Sequence, residues 1–351
     1  MLKGSSLDRV RVGVIGLRHG SQIHVAAFRN DCRSEVVALA GRDAAKTAAM
    51  ARAIDVRESF GDWRELVAAP DIDAISIAVP PAIQPEIISE ACQKGKHVFC
   101  EKPVGASVAD AQRALQSAEA AGVAHGIDFI FPEIVAWQRT RTLLEEGAIG
   151  RPTHFAYSWR VETYASLTNA NTWKNHPNEG GGVLGNFVSH VFFNLEWLFG
   201  SIQTMKGFVC SADGRAADGV LEFINGVTGS VSVRTDAFLG SGHRLEIYGE
   251  EGTLVLHNRT TDYGAGFDVS LGTRSSGELA AVSTQDGVTQ ANQVDGRVAP
   301  TTRLVGRFLD AVCGRGTMTP NLVHGLRIQE LVAVAGRGPG SFDVAPTEPK
   351  R

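Results

Sequence analysis

Gly95-Lys96-His97-Val98-Phe99-Cys100-Glu101-Lys102-Pro103 is a short apolar strand that ends abruptly in a charged pair and a proline. Gly95 sets the strand off behind, and Pro103 stops it ahead because proline lacks a backbone donor and fixes φ. A strand this apolar reads as covered on both faces, the condition of a parallel sheet. Open parallel sheets bind ligands beyond the carboxyl ends of their strands, which places Lys102 over such a crevice.

The flanking segments repeat one grammar. Val10 to Ile15, Val36 to Ala40, Ala74 to Val79 and Ala124 to Phe129 read as strands. Helices are expected between them from Gln22 to Phe28, Asp43 to Ala53, Gln84 to Gln93 and Ser107 to Ala121, with Asp43 and Ser107 as N-caps. Alternation of this length predicts a doubly wound parallel sheet. After about Gly126 the pattern changes to a helix over Ile134 to Glu146, then to alternating strands beginning with His154 to Val161. Such strands joined by short turns predict a mostly antiparallel sheet. The expected fold class is therefore α/β, a nucleotide-binding parallel domain over residues 1–125 and an α+β domain with an open sheet over 126–351. Leu271 to Pro300, polar and rich in Gly and Ser, reads as a mobile loop. Helices are expected over Thr302 to Val312 and Leu322 to Ala335.

Composition narrows the function. With 43% hydrophobic and 21% charged residues, the chain matches a globular protein and has no apolar run long enough to span a membrane. Its formal net charge of -4, without any Lys/Arg block, argues against nucleic acid and for a small-molecule substrate. The first residues lead almost directly into a strand and show no secretory signal, so a cytoplasmic location is expected. Five widely spaced cysteines without a Cys-x-x-Cys pair read as buried thiols in a reducing compartment.

The turn after the first strand reads Gly16-Leu17-Arg18-His19-Gly20-Ser21. A dinucleotide fingerprint wants Gly-x-Gly-x-x-Gly there, so that backbone amides and a helix N-terminus can approach a pyrophosphate. Gly16 supplies the tight turn and Gly20 further freedom, while Arg18 and Ser21 stand where the second and third glycines belong. Arg18 is suited to pair with phosphate oxygens. The second strand ends Ala40-Gly41-Arg42-Asp43, with glycine where an NAD-binding acid is usual. Arg42 suits the 2'-phosphate of NADP, and Asp43 is assigned to the helix cap; NAD is the alternative cofactor.

Taken with Asp73-Ala74-Ile75-Ser76-Ile77-Ala78-Val79-Pro80-Pro81, Glu101-Lys102-Pro103, Glu146-Gly147-Ala148-Ile149-Gly150, Gly180-Gly181-Gly182-Val183-Leu184 and Ile247-Tyr248-Gly249-Glu250-Glu251-Gly252-Thr253-Leu254, the chain resembles the Gfo/Idh/MocA oxidoreductases over nearly its whole length. The resemblance implies a Rossmann domain, then a domain whose open sheet joins subunits into a dimer or tetramer. It also implies hydride transfer between a nicotinamide and a carbinol or carbonyl carbon of a sugar, sugar derivative or cyclitol. Val79, Pro80 and Glu101 join the cofactor residues, Lys102 touches the reacting oxygen and the cofactor ribose, and Pro103 borders the nicotinamide.

The family's second catalytic element, usually Asp-x-Gly-x-His, reads Asn186-Phe187-Val188-Ser189-His190 here. A spacing of four puts Asn186 and His190 on one helix face. His190 is the expected base, and Asn186 offers a neutral hydrogen bond of about 1 kcal/mol where a carboxylate would give roughly twice that. Trp173, Lys174 and His176 lie where a substrate loop is implied, and Arg160 could line the sheet side of the cleft. His24 is expected to be structural, and Gln84 stands where relatives often carry His. No His, Cys or carboxylate group shows metal-ligand spacing, so no catalytic metal is expected. Two alternatives share the fold: a nicotinamide-dependent glycosidase and a non-catalytic ligand sensor.

Overall fold

The structure, a computed structural model, describes residues 9–168, 172–284 and 295–346. The chain forms two compact units: residues up to Ile130 together with Arg297–Leu326, and Phe131–Gly296 together with the chain from Arg327. The boundary expected after residue 125 thus falls at Ile130, and a late segment returns to the N-terminal unit.

The N-terminal unit holds six parallel strands: β1 (Val10–Ile15), β2 (Ser34–Ala40), β3 (Glu58–Phe60), β4 (Ala74–Ile77), β5 (His97–Cys100) and β6 (His125–Ile127). Helices α1 (Val25–Arg29), α2 (Ala44–Ala53), α3 (Trp63–Ala68), α4 (Gln84–Gln93) and α5 (Val108–Ala121) connect them, and a π-turn over Gly20–His24 precedes α1. The sheet order is β3-β2-β1-β4-β5-β6. The order reverses between β1 and β4, and the crevice beyond their carboxyl ends is where doubly wound sheets bind ligands.

Local chemistry explains the helix starts. Asp43 accepts from the Lys46 amide at 3.0 Å and Ser107 from the Asp110 amide at 3.2 Å, so both expected caps are in place. β5 is buried from Val98 onward, and Phe99 meets Phe28 of α1 and Phe308 of the returning helix Val298–Val312 edge-on or tilted, with centroids 5.8 and 5.6 Å away. Fully burying each of these rings contributes about 1.5–3 kcal/mol.

The second unit contains α6 (Val135–Glu145), β7 (Pro152–Arg160), α7 (Tyr164–Thr168) and α8 (Ser189–Phe199). Its sheet continues with β8 (Ile202–Cys210), β9 (Ala216–Phe223), β10 (Thr228–Arg234), β11 (Gly242–Gly249), β12 (Gly252–Asn258), β13 (Phe267–Thr273), β14 (Ala280–Val282) and β15 (Ser341–Asp343). The order is β14-β13-β12-β11-β7-β10-β9-β8-β15, antiparallel except for the parallel pair β7–β10. The period of two along β7 buries Phe155, Tyr157 and Trp159. On β11 His243 stacks on Trp159 at 4.2 Å and 10°, and the Tyr157 hydroxyl bonds its Nε2.

Leu271–Pro300 is not the expected single loop: β13 runs to Thr273, β14 covers Ala280–Val282, and a helix starts at Val298. Residues 285–294 of that stretch lie outside the described part of the chain. Of the cysteines only Cys92 and Cys100 are fully buried; Cys32 and Cys313 are exposed, because each follows the end of an element at the surface.

Candidate active site

Gly16 opens the first turn at φ +128°, and a Cβ there would sit 2.3 Å from the Ala78 carbonyl oxygen. Only glycine lets β1 turn this close to the end of β4. Gly16→Ala is expected to cost about 1–3 kcal/mol in strain alone and to abolish saturable NAD(P)H binding, as read by thermal unfolding and fluorescence titration. Ser21, in the place of a third glycine, turns its hydroxyl back onto the Leu17 and Arg18 carbonyls at 2.9 and 3.1 Å. Arg18 is exposed beside it. At the end of β2, a Cβ on Gly41 would lie 2.7 Å from side-chain atoms of Leu17 and Thr47, so the acid usual there would require them to shift. Arg42 is exposed just beyond, and Asp43 is committed to capping α2.

The Glu101-Lys102-Pro103 loop is fixed from behind. Gln84, fully buried, donates through Nε2 to the carbonyls of Glu101 at 3.1 Å and Pro103 at 2.7 Å. The Lys102 amide donates to Glu101 Oε2 at 3.2 Å, and the Lys102–Pro103 peptide is cis. Gln84 therefore brackets Lys102 with two hydrogen bonds, a task that the sequence alone did not reveal. Val79 and Pro80 follow β4 at the same carboxyl edge and are partly exposed.

Behind this loop the sheet crossovers gather four side chains. His19 Nε2 lies 2.8 Å from Glu101 Oε1, and His24 Nε2 lies 3.2 Å from the same oxygen and 3.3 Å from Asp128 Oδ2. Burial works against a charged His24, but its bonds to Asp128 and Glu101 outweigh it and lift the ring to about 9. Burial likewise opposes the charge on Glu101, yet His19 and His24 hold its carboxyl well below the ordinary range. His24 also meets Ser76 Oγ through Nδ1 at 2.7 Å and is part of this buried cluster.

In the second unit, Gly180 follows two short 3-10 turns, Trp173–Asn175 and Pro177–Glu179. The segment Leu184–Val188 is a π-turn, and α8 begins only at Ser189. The expected continuous α-helix is corrected in type only: Asn186 lies in the π-turn and His190 in the first turn of α8. Asn186 donates through Nδ2 to the Lys174 carbonyl at 2.8 Å, tying the glycine run to the Trp173–Asn175 turn. His190 is buried, edge-on to Phe131 at 5.0 Å and tilted against Trp159 at 6.2 Å. Lys174 Nζ stands 6.0 Å over the Trp173 ring, and His176 links the two 3-10 turns. Arg160 does not join this group. The alternation of β7 turns it to the face opposite Trp159, where it donates to Ser232 Oγ at 3.2 Å.

Two family profiles match the chain: an oxidoreductase family with an NAD-binding Rossmann fold over residues 10–129, and the GFO/IDH/MocA C-terminal domain over residues 137–255. The chain belongs to the Gfo/Idh/MocA oxidoreductases. An uncharacterized oxidoreductase of Synechocystis sp., sll0816, is 31% identical over 342 residues, spanning 92% of this chain and 91% of that protein. Levoglucosan dehydrogenase of Pseudarthrobacter phenanthrenivorans is 26% identical over 258 residues, 65% of this chain and 66% of the other. The solved levoglucosan dehydrogenase in complex with NADH superposes with a TM-score of 0.84 at 20% identity, covering 96% of this chain and all of that one. As a Gfo/Idh/MocA protein the chain is an oxidoreductase with an NAD-binding Rossmann domain, and the parallel and antiparallel sheets are the two domains of that fold. No helix among the described residues is long and apolar enough to cross a membrane.

Proposed function

We propose that the protein is an NADP-dependent dehydrogenase or reductase acting on a secondary hydroxyl, or the matching ketone, of a sugar, sugar derivative or cyclitol. The observation that carries this reading is the Gln84 clamp, which fixes the backbone on both sides of Lys102 at the carboxyl edge of a sheet whose first turn packs against Ala78 only because residue 16 is glycine. Relatives named as levoglucosan dehydrogenase and myo-inositol 2-dehydrogenase support the substrate class.

The nicotinamide, when bound, accepts or supplies the hydride. Gly16, Arg18, Gly20 and Ser21 form the turn that would receive the pyrophosphate, with Val79, Pro80 and Pro103 along the nicotinamide side. Lys102 presents its ammonium to the reacting oxygen and stabilises the alkoxide character that develops there. His190 takes or returns the hydroxyl proton. Asn186 stands where the family usually has a carboxylate and offers a neutral hydrogen bond instead of a charged one. Trp173, Lys174 and His176 are the substrate-loop candidates. The open face of the second sheet exposes Val220 and Tyr248 and is the surface we assign to self-association.

Arg42 supports NADP over NAD. It is exposed beyond a glycine and beside an acid already used as a cap, and its guanidinium suits a 2'-phosphate. The protein is expected to bind NADPH about tenfold more tightly than NADH in a fluorescence titration, and Arg42→Ala to remove that preference. Equal affinities in the unaltered protein overturn the assignment. Screening sugars, cyclitols and keto-sugars for change in nicotinamide absorbance tests the activity itself.

A further inference from the structure

The cluster behind the Lys102 loop has the geometry of a metal site. We infer that His19, His24, Glu101 and Asp128 bind one divalent cation of the zinc class, holding the first turn of the N-terminal unit to the ends of β5 and β6.

Each residue offers one ligand atom, and the four atoms lie within 4.8 Å of one another. A tetrahedral zinc ion with ligands at about 2.0–2.1 Å requires ligand atoms separated by roughly 3.3 Å. The contacts His19 Nε2–Glu101 Oε1 at 2.8 Å, His24 Nε2–Glu101 Oε1 at 3.2 Å, His24 Nε2–Asp128 Oδ2 at 3.3 Å and His19 Nε2–Asp128 Oδ2 at 3.8 Å bracket that value. Two imidazoles and two carboxylates make a donor set that suits zinc, and a divalent cation balances both carboxylate charges.

The outer contacts strengthen the assignment. Metal-bound histidines ordinarily spend the second ring nitrogen on a hydrogen bond that fixes the tautomer. His24 does so through Nδ1 with the fully buried Ser76 hydroxyl at 2.7 Å, which leaves Nε2 facing the carboxylates, where a cation would take the place of its proton. Glu101 keeps Oε2 for the Lys102 amide at 3.2 Å, and buried Thr301 donates to the Asp128 carboxylate at 3.3 Å. Access is from the His19 side, whose side chain is 30% exposed while those of His24 and Asp128 are 0% and 1%. Sequence spacing concealed this group because the ligands come from the β1 turn, the end of β5 and the end of β6, and only the parallel crossovers unite them.

The full chain, stripped with a chelator, is titrated with zinc against a chromophoric competitor, and bound metal is measured by elemental analysis. One equivalent per chain is expected. His19→Ala should weaken binding by at least a hundredfold and Ser76→Ala by about 10–100-fold, while His154→Ala on the exposed sheet face leaves it unchanged. Cobalt(II) should give the intense visible bands of a tetrahedral site in the unaltered protein. Sub-stoichiometric zinc, or unaltered affinity in both Ser76→Ala and His19→Ala, overturns the inference. If His19→Ala does not fold, the cobalt spectrum and Ser76→Ala decide it. The readout is metal binding, so its failure leaves the proposed oxidoreductase reaction untouched, and the reverse holds.

Discussion

Lys102→Met is expected to lower kcat by about 10²–10³-fold, the usual loss when one preorganised donor to a developing oxyanion is removed, with NADPH affinity changed by less than about threefold. The separation of these effects follows from how the loop is built. Gln84 grips the carbonyls of Glu101 and Pro103, and the Lys102 amide is held by Glu101, so the backbone is fixed without the ammonium. Methionine keeps the unbranched apolar stem as far as Cε and removes the ammonium with its charge and donors. Steady-state turnover on a substrate found by screening, together with fluorescence titration of the cofactor, measures both quantities. Undiminished turnover removes Lys102 from the chemistry. Joint loss of turnover and cofactor binding would assign it to holding the nucleotide.

The second large effect is on acid stability. His243 lies between Trp159 and Tyr157 in the second unit, and burial, with a smaller push from His257, lowers it from about 6.5 to about 3. In the folded chain the ring stays neutral down to about pH 3, whereas in the unfolded chain it takes up a proton below about pH 6.5. A depressed histidine therefore contributes stability that is full above pH 6.5 and is lost as pH falls toward 3. One pKa unit corresponds to about 1.4 kcal/mol, so this single group carries up to roughly 5 kcal/mol of pH dependence. Urea unfolding followed by tryptophan fluorescence at pH 7, 5.5 and 4 should show the decline. The double variant Tyr157→Phe/His243→Phe removes the titrating ring and its hydroxyl partner together, leaving no orphaned polar group between them. Its stability should fall less over the same interval, whatever its value at pH 7. Equal slopes would mean that His243 is hydrated in the fold.

Much of this was legible in the amino-acid order. Strands β1, β2, β4 and β5 announce themselves because parallel strands buried on both faces are continuously apolar, and α2 and α5 begin at Asp43 and Ser107 because those side chains satisfy orphan amides. The Gly16 turn and the Glu101-Lys102-Pro103 loop were legible for the same local reason. What the order hid is non-local or depends on helix type. The spacing of Asn186 and His190 reads as one continuous α-helix, whereas Asn186 lies in a π-turn and α8 starts at Ser189. Arg160 looks like a cleft residue until the register of β7 assigns it to the opposite face. Gln84 looks like a lost histidine until its carbonyl partners are seen, and the His19 cluster exists only because the parallel crossovers bring the ends of β1, β5 and β6 together.

The helix that returns to the N-terminal unit bears on how the protein is made. Phe308 seals the ring cluster around Phe99 and Phe28, and Thr301 reaches Asp128, yet both are synthesised after the entire antiparallel sheet up to β14. On the ribosome the parallel sheet must wait with part of its apolar surface uncovered while the second unit emerges. A fragment ending at residue 130 would carry every nucleotide-binding motif and still lack the piece that closes its core. The unit is one body in space and two pieces in the gene, so excision or domain grafting has to join residues 297–326 to it.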